Sequence, residues 1–295
     1  MNSKSRVAER VRNLPFSGIR KFFDIVAQRK DVISLGVGEP DFDTPWTVRE
    51  AAVYSLERGA THYTSNRGDP GLRQAIARYV ARQFGEEYDW KTEILVTVGV
   101  SEAIDIALRT IINPGDEVIY HEPCFVSYRP SIILAGGVPV CVETRREDDF
   151  RLTRPMLGKA VTPKTRALML NFPCNPTGAV LARKDVEEIS NFCIQHDLLL
   201  LTDEIYAELT YDSQHISFVS IPGMKERTIL VDGFSKTYAM TGWRLGYAVV
   251  REELVEHFSK LLTNSVSCTA TFTQWAGIAA LEGPQDCVEE MVASY

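Results

Sequence analysis

The 295-residue sequence has no long apolar run, no basic run longer than two residues and no cysteine pair spaced C-x-x-C. Each absence removes a class of function. A membrane-spanning helix needs roughly 20 consecutive apolar residues, and no window comes near that. Nucleic-acid binding needs clustered positive charge, whereas the formal net charge is −7, so nucleic acid is not an expected partner. The start, Met1–Arg12, lacks the apolar core of a signal peptide and reads as a short surface arm or helix. The six cysteines, Cys124, Cys141, Cys174, Cys193, Cys268 and Cys287, read as reduced thiols of a cytoplasmic protein, not as a disulfide frame or a zinc site. The five histidines lie apart from one another and from the cysteines, so no metal centre is expected. Gly36-x-Gly38 lacks the third glycine and the following helix of a dinucleotide fingerprint.

What remains is an ordinary soluble composition, 45% hydrophobic and 24% charged, on a chain long enough for more than one domain. Apolar runs at Glu93–Val98, Glu117–Tyr120, Val138–Val142, Ala167–Leu170, Leu198–Thr202, Thr228–Val231 and Leu245–Val250 predict strands. Most are continuous rather than alternating, which suits a mainly parallel sheet buried on both faces. Ser101–Ile112, Pro123–Leu134 and Asp185–His196 carry helical periodicity between them. The predicted architecture is α/β, a three-layer sandwich around a mainly parallel seven-stranded sheet. Residues 1–45 stand outside the main sheet, with a helix at Phe16–Arg29 and a Gly/Pro/Asp-rich loop at Gly36–Pro45. Residues 46–282 form the large domain. Residues 283–295 start a connecting helix, Pro284–Tyr295, which shows no stop signal and is expected to lead into a further segment.

Two stretches concentrate the chemistry: Leu201–Tyr206 (L-T-D-E-I-Y) and Asp232–Gly246 (D-G-F-S-K-T-Y-A-M-T-G-W-R-L-G). Each follows an apolar run. Lys236 sits in a turn after a strand, where it can bond to an aldehyde. Asp203 closes a strand at the edge of the sheet where ligands collect, and a carboxylate there can hold a proton on a ring nitrogen. Arg244 can pair with a phosphate. A lysine, a strand-end aspartate and such an arginine are what a pyridoxal 5′-phosphate site needs. Gly99-Val100-Ser101 joins a strand to a helix and offers free amides to the phosphate. Asn175, in the stiff turn N-F-P-C-N-P-T-G, and Tyr206 can reach the phenolic oxygen. Taken singly, Lys236 reads as a solvated loop lysine, Asp203 as a helix cap and Tyr206 as a core tyrosine. Their combination points to the cofactor.

The sequence resembles the class I/II aminotransferases, the fold-type I pyridoxal-phosphate enzymes related to aspartate and aromatic aminotransferases. The matching pieces are S-L-G-V-G-E-P-D-F-D-T-P at 34–45, Y-T-S-N-R-G-D-P-G-L-R at 63–73, N-P-G-D-E-V at 113–118, N-F-P-C-N-P-T-G at 171–178, D-E-I-Y at 203–206 and F-S-K-T-Y-A-M-T-G-W-R-L-G-Y at 234–247. The resemblance implies transfer of an amino group from an amino acid to a 2-oxo acid, in ping-pong fashion through pyridoxamine phosphate. It implies that Lys236 is the catalytic residue and that Asp203 pairs with the ring nitrogen. Asn175 and Tyr206 would bond the phenolic oxygen, and Phe125 would stack on the ring. Gly99, Val100, Ser101, Ser235 and Arg244 would hold the phosphate. Tyr63 would reach the site of a neighbouring subunit in a homodimer, and Gly38 and Asn175 would contact the substrate. The resemblance further implies an incomplete small domain beside the sheet, with residues 1–45 as an N-terminal arm and part of that small domain.

Two departures accompany the resemblance. Some relatives carry a phosphate-binding serine three residues before the lysine, where this chain has Gly233, with Ser235 as its expected substitute. The arginine that clamps the substrate carboxylate in this family has no counterpart in the sequence. Three rivals remain at this stage: a β-lyase or ring-forming synthase with the same residues, a cofactor-binding regulator, and a non-catalytic fragment. The regulator lacks a preceding helix-turn-helix segment. No arginine is identifiable in Asn264–Gln274 as a clamp for a second carboxylate, which favours a neutral or aromatic donor over aspartate.

Overall fold

Seven apolar segments pair into one sheet in the order β1-β7-β6-β5-β4-β2-β3. The computed structural model of the chain describes residues 6–12, 14 and 38–295. The strands are β1 (Ile94–Thr97), β2 (Glu117–Glu122), β3 (Val138–Glu143), β4 (Thr165–Asn171), β5 (Leu199–Asp203), β6 (Thr228–Gly233) and β7 (Gly246–Val249). Only β7 runs against its neighbours, β1 and β6; the other pairings are parallel. The C-terminal ends of β1, β2, β4, β5 and β6 therefore open on one edge of the sheet.

The continuous apolar character of these strands follows from burial on both faces. Along β5, for example, Leu200 packs on one side and Leu201 on the other. One face carries Leu95, Tyr120, Met169, Leu201, Ile229 and Ala248, covered by helices Gly99–Ile111, Tyr128–Leu134 and Glu252–Ser265. The other carries Val96, Leu168, Leu170, Leu230 and Val249, covered by helices including Pro70–Phe84, Arg183–Gln195 and Thr271–Glu282. Each fully buried Leu or Ile in these layers contributes about 1.5–3 kcal/mol of transfer free energy. β3 departs from the expected double burial: it is the edge strand, with Val138 and Cys141 exposed. Its Pro139 suits an edge, where a missing ladder donor is tolerated.

The strand reading agrees to within two residues at each end. The helix expected over Pro123–Leu134 is corrected to Tyr128–Leu134. Pro130 explains the late start, because its ring and missing N–H are compatible with the first helical turn but not with an interior position. Helices Trp46–Glu57, Pro70–Phe84, Glu252–Ser265 and Thr271–Glu282 add to those read from periodicity. Pro70–Phe84 is bounded by Asp69, whose Oδ1 accepts from the amides of Gly71 and Leu72 at 2.7 and 3.2 Å, and by left-handed Gly85. The last helix is Asp286–Ser294. The helix expected at Phe16–Arg29 and the first part of the Gly36–Pro45 loop lie outside the described residues. Among the described residues, no helix is long and apolar enough to cross a membrane.

Candidate active site

The open edge of the sheet holds a cavity of about 620 Å³, lined by Gly38, Val100, Ser101, Phe125, Asn175, Asp203, Tyr206, Ser235, Lys236 and Arg244 among others. The topology brings these residues together from five strand ends, although they are spread over two hundred positions of sequence. Gly99 lies directly behind Arg244. Tyr63 stands apart from the cavity, on the surface, 88% exposed.

At the base, Asp203 ends β5 and is buried. Its Oδ2 accepts from the Tyr128 hydroxyl at 2.7 Å and its Oδ1 from the Ile205 amide at 3.2 Å. Each carboxylate oxygen keeps a free lone pair for a further donor. Burial pushes the Asp203 carboxyl up to about 6, with the Tyr128 and Ile205 hydrogen bonds opposing. Its main chain is pinned too: Asn171 Nδ2 donates to the Asp203 carbonyl at 2.8 Å, while Asn171 Oδ1 accepts from the Asn175 amide at 3.0 Å. One asparagine thus ties the ends of β4 and β5 and aims the Asn175 turn.

Lys236 leaves the turn after β6. Its Nζ donates to the Gly38 carbonyl at 2.7 Å and lies 5.8 Å from the centre of the Tyr206 ring. Burial lowers the ammonium pKa; Glu39 opposes the shift and Arg244 reinforces it. A lysine kept closer to its neutral form is a better nucleophile and proton carrier. Burial, together with Asp203, raises the Tyr206 phenol to about 12, while a hydrogen bond with Asn175 works the other way. Tyr206 and Asn175 therefore converge on one side of the cavity.

Ser101, Ser235 and Arg244 gather at the start of helix Gly99–Ile111. Its cap residue, Val98, has no side-chain acceptor, so the first amides of the helix face outward with the positive end of its dipole. Glu102 ties back the Val98 amide at 2.6 Å and leaves those of Gly99, Val100 and Ser101 for an anion. Arg244 Nη1 donates to the Thr241 carbonyl at 3.1 Å. Among the described residues, no carboxylate forms an ion pair with Lys236 or Arg244. Two cations and a row of free amides in one cavity make an anion site.

Gly99 makes this arrangement possible. It sits at φ +73°, and a Cβ there would come within 2.6 Å of Arg244 Nη2. Gly99→Ala is expected to cost about 1–2 kcal/mol from the left-handed backbone. By displacing Arg244 it should also weaken cofactor binding roughly tenfold or more. Urea unfolding and a cofactor titration check the two effects separately. Gly233 resolves the missing serine: a Cβ there would lie 2.9 Å from the Leu245 carbonyl oxygen and 3.0 Å from Gly246 Cα. No side chain fits at 233 on this backbone, and the nearby hydroxyl in the cavity is that of Ser235.

A family model for aminotransferase class I and II matches residues 30–295. The chain belongs to the class I and II aminotransferase family. This aminotransferase is 49% identical over 282 residues to an aspartate aminotransferase of Pyrococcus abyssi, covering 95% of this chain and 72% of that protein. It is 46% identical to aromatic-amino-acid aminotransferase 2 of Thermococcus litoralis, covering 98% of this chain and 75% of that one. Among solved structures, the aromatic aminotransferase from Pyrococcus horikoshii OT3 superposes with a TM-score of 0.88 at 48% identity, covering 92% of this chain and 74% of that chain. The fold is therefore the fold-type I aminotransferase sandwich, and the activity is pyridoxal-phosphate-dependent amino-group transfer between amino and 2-oxo acids.

The aminotransferase cavity fits this cofactor on its own geometry. A buried carboxylate with spare lone pairs suits a protonated ring nitrogen, a lysine held only by the Gly38 carbonyl among the described residues suits an aldehyde, and the amide row with Arg244 suits a phosphate. Sequence reasoning did not single out Tyr128 or Asn171. Tyr128 lies three residues beyond Phe125, its ring 5.6 Å away and edge-on. A tyrosine opening a helix just past a strand end was the available signal.

The raised Asp203 carboxyl makes a stability prediction for the cofactor-free aminotransferase. Its ordinary value is 3.8 and its folded value about 6. Between these, the unfolded chain has released the proton while the native chain retains it, so stability falls as pH rises. The loss attributable to this group is about 3 kcal/mol, complete above the folded value. Urea unfolding of wild type and Asp203→Asn across this window should show the wild type losing about that much relative to the variant. Parallel curves would contradict it.

Proposed function

We propose that Lys236 is the catalytic residue of the amino transfer and that Asp203, Asn175, Tyr206, Phe125, Gly99, Val100, Ser101, Ser235 and Arg244 hold the cofactor. The observation that carries this is Lys236, free of any carboxylate partner, between the buried Asp203 and Arg244 in one cavity. When bound, pyridoxal phosphate supplies the aldehyde that takes up the amine and a ring that accepts the electron pair released at the substrate α-carbon. Lys236 Nζ would take the proton from the substrate α-carbon. The Asp203 carboxylate keeps a proton on the ring nitrogen, and the Asn175 amide and Tyr206 hydroxyl steady the phenolic oxygen. Phe125 covers a ring face. The Gly38 backbone and the Asn175 side chain contact the substrate carboxylate.

We infer a neutral or aromatic donor in preference to aspartate. A second cavity, of about 450 Å³, adjoins the first and shares Lys236, Tyr206 and Asn175 with it. Among the described residues, the only cations lining either cavity are Lys236 and Arg244, whereas Glu39 lines both and Asp212 lines the second. Among the described residues lining the second cavity, no arginine stands ready for a substrate side-chain carboxylate, and Tyr206, Tyr211 and Leu209 offer an apolar wall. A donor panel tests this: kcat/KM for phenylalanine or tyrosine should exceed that for aspartate, and the reverse order would overturn it.

The working unit in this reading is a homodimer. Support comes from exposed aromatic side chains, Trp46 and Tyr54 on one helix and Phe272 and Trp275 on the helix packed against it, with Tyr63 nearby in sequence. Tyr63 then extends to the cofactor phosphate of the partner. Sedimentation equilibrium at twice the chain mass is the expected result. In the same reading, residues 46–282 are the large domain and 283–295 belong to the connecting helix; most of the segment 1–45, expected as arm and part of a small domain, lies outside the described residues. The six free thiols suit a cytoplasmic location.

A further inference from the structure

Behind the cofactor cavity lies a second buried carboxylate, Glu204, immediately after Asp203 in the chain. It is 0% exposed and, among the described residues, has no lysine or arginine partner. Three side chains satisfy it: His215 Nε2 lies 2.7 Å from Oε2, while the hydroxyls of Thr202 and Ser217 donate to Oε1 at 3.1 and 3.0 Å. The Phe84 ring meets His215 edge-on and covers it.

These partners come from the two ends of a single excursion of the chain. Thr202 lies in β5 and Glu204 directly follows its last residue, Asp203, with its amide still bonded to the Val231 carbonyl of β6, and His215 and Ser217 lead into the turn Phe218–Ser220. One carboxylate thus closes the segment 205–214 at its base. That segment carries Tyr206, in the cofactor cavity, and Leu209, Thr210, Tyr211, Asp212 and Ser213, which line the adjoining cavity. Successive residues of an extended strand point to opposite sides, so fastening Glu204 on the far side fixes the direction of Asp203 on the near side.

We propose that Glu204 and His215 are positioning residues for amino transfer: they clamp the base of segment 205–214, so that Asp203 and Tyr206 keep their aim at the cofactor and the 209–213 wall keeps its place beside Lys236. The proposal rests on the reading of that cavity as the cofactor site. A displacement of about 1 Å in such groups costs on the order of 10- to 100-fold in catalysis. A purely structural clamp would lower stability alone.

The test uses the pyridoxal-phosphate-loaded protein and the variants His215→Leu, His215→Gln and Ser217→Ala. Circular dichroism first establishes folding. Three readouts follow: KM and kcat for an amino acid donor, the dissociation constant for pyridoxal phosphate, and the pH midpoint of the bound cofactor's absorbance change. His215→Leu should raise KM about tenfold and move the pH midpoint by about half a unit or more. His215→Gln, which restores a side-chain donor, should return both most of the way. If His215→Leu does not fold, Ser217→Ala decides, with smaller shifts expected in the same readouts. Unchanged KM and midpoint in a folded variant, with only the melting temperature lowered, would overturn the proposal. Failure of the wild type itself to bind pyridoxal phosphate would instead overturn the reading of the site.

Discussion

Lys236→Ala should lower the rate of amino transfer by at least about 10⁴-fold, because it removes both the group that bonds the cofactor and the group that moves the α-carbon proton. The loss should fall on kcat. Pyridoxal phosphate should still enter the variant, because the amide row at Gly99–Ser101, Arg244 and Asp203 are untouched, but gel filtration should then remove it. Borohydride treatment of the loaded wild type should add the cofactor mass to the peptide containing Lys236 and to no other. Labelling of a different lysine, with Lys236→Ala still active, would remove Lys236 from its assigned role.

Asp203→Asn is the second large effect. The amide keeps the volume of the side chain and one oxygen for Tyr128, which bonds the native carboxylate at 2.7 Å. It cannot hold a proton on a ring nitrogen by charge. Preorganised groups of this kind are worth roughly 10²–10³-fold in kcat, and that is the expected loss. The fold should survive, because a buried carboxylate without a cation costs stability at neutral pH and the amide relieves that cost. Stopped-flow measurement of a single half-reaction checks this. A half-reaction at the wild-type rate would show that Asp203 does not face the ring.

Much of this fold is legible in the sequence because its sheet is buried on both faces. Continuous apolar runs such as Leu198–Thr202 have few other uses, and all seven strands lie where such runs occur. The parallel order then places whatever follows β1, β4, β5 and β6 on one edge, and Gly99, Asn175, Asp203 and Lys236 could be grouped on that ground. Helices were less uniformly legible. Trp46–Glu57 buries only Val48, Ala52 and Ser55, and Thr271–Glu282 buries Thr273 and Gln274 beside Ala276, Gly277, Ala280 and Leu281 while exposing Phe272 and Trp275, so in neither does a clear apolar stripe face a polar one. Pro70–Phe84 did carry signals: Asp69 and Pro70 at its start and Gly85 at its end.

Contacts between distant segments were not legible. Tyr128 meets Asp203 across 75 residues, and Asn171 ties to Asp203 across 32; only the folded sheet sets those distances. The same holds for His215 and Glu204, which look like an isolated histidine and a solvated acid when the chain is read as a string. The absence of room at Gly233 is likewise a property of the backbone packed beside it.

The most direct test of the central claim is the absorbance spectrum of the purified protein loaded with pyridoxal phosphate, recorded while an amino acid panel is added without any 2-oxo acid. Amino transfer centred on Lys236 predicts that at least one donor shifts the cofactor band and that 2-oxoglutarate restores it. A cofactor band that no donor shifts, or one that shifts with release of ammonia and is not restored by the oxo acid, would contradict it.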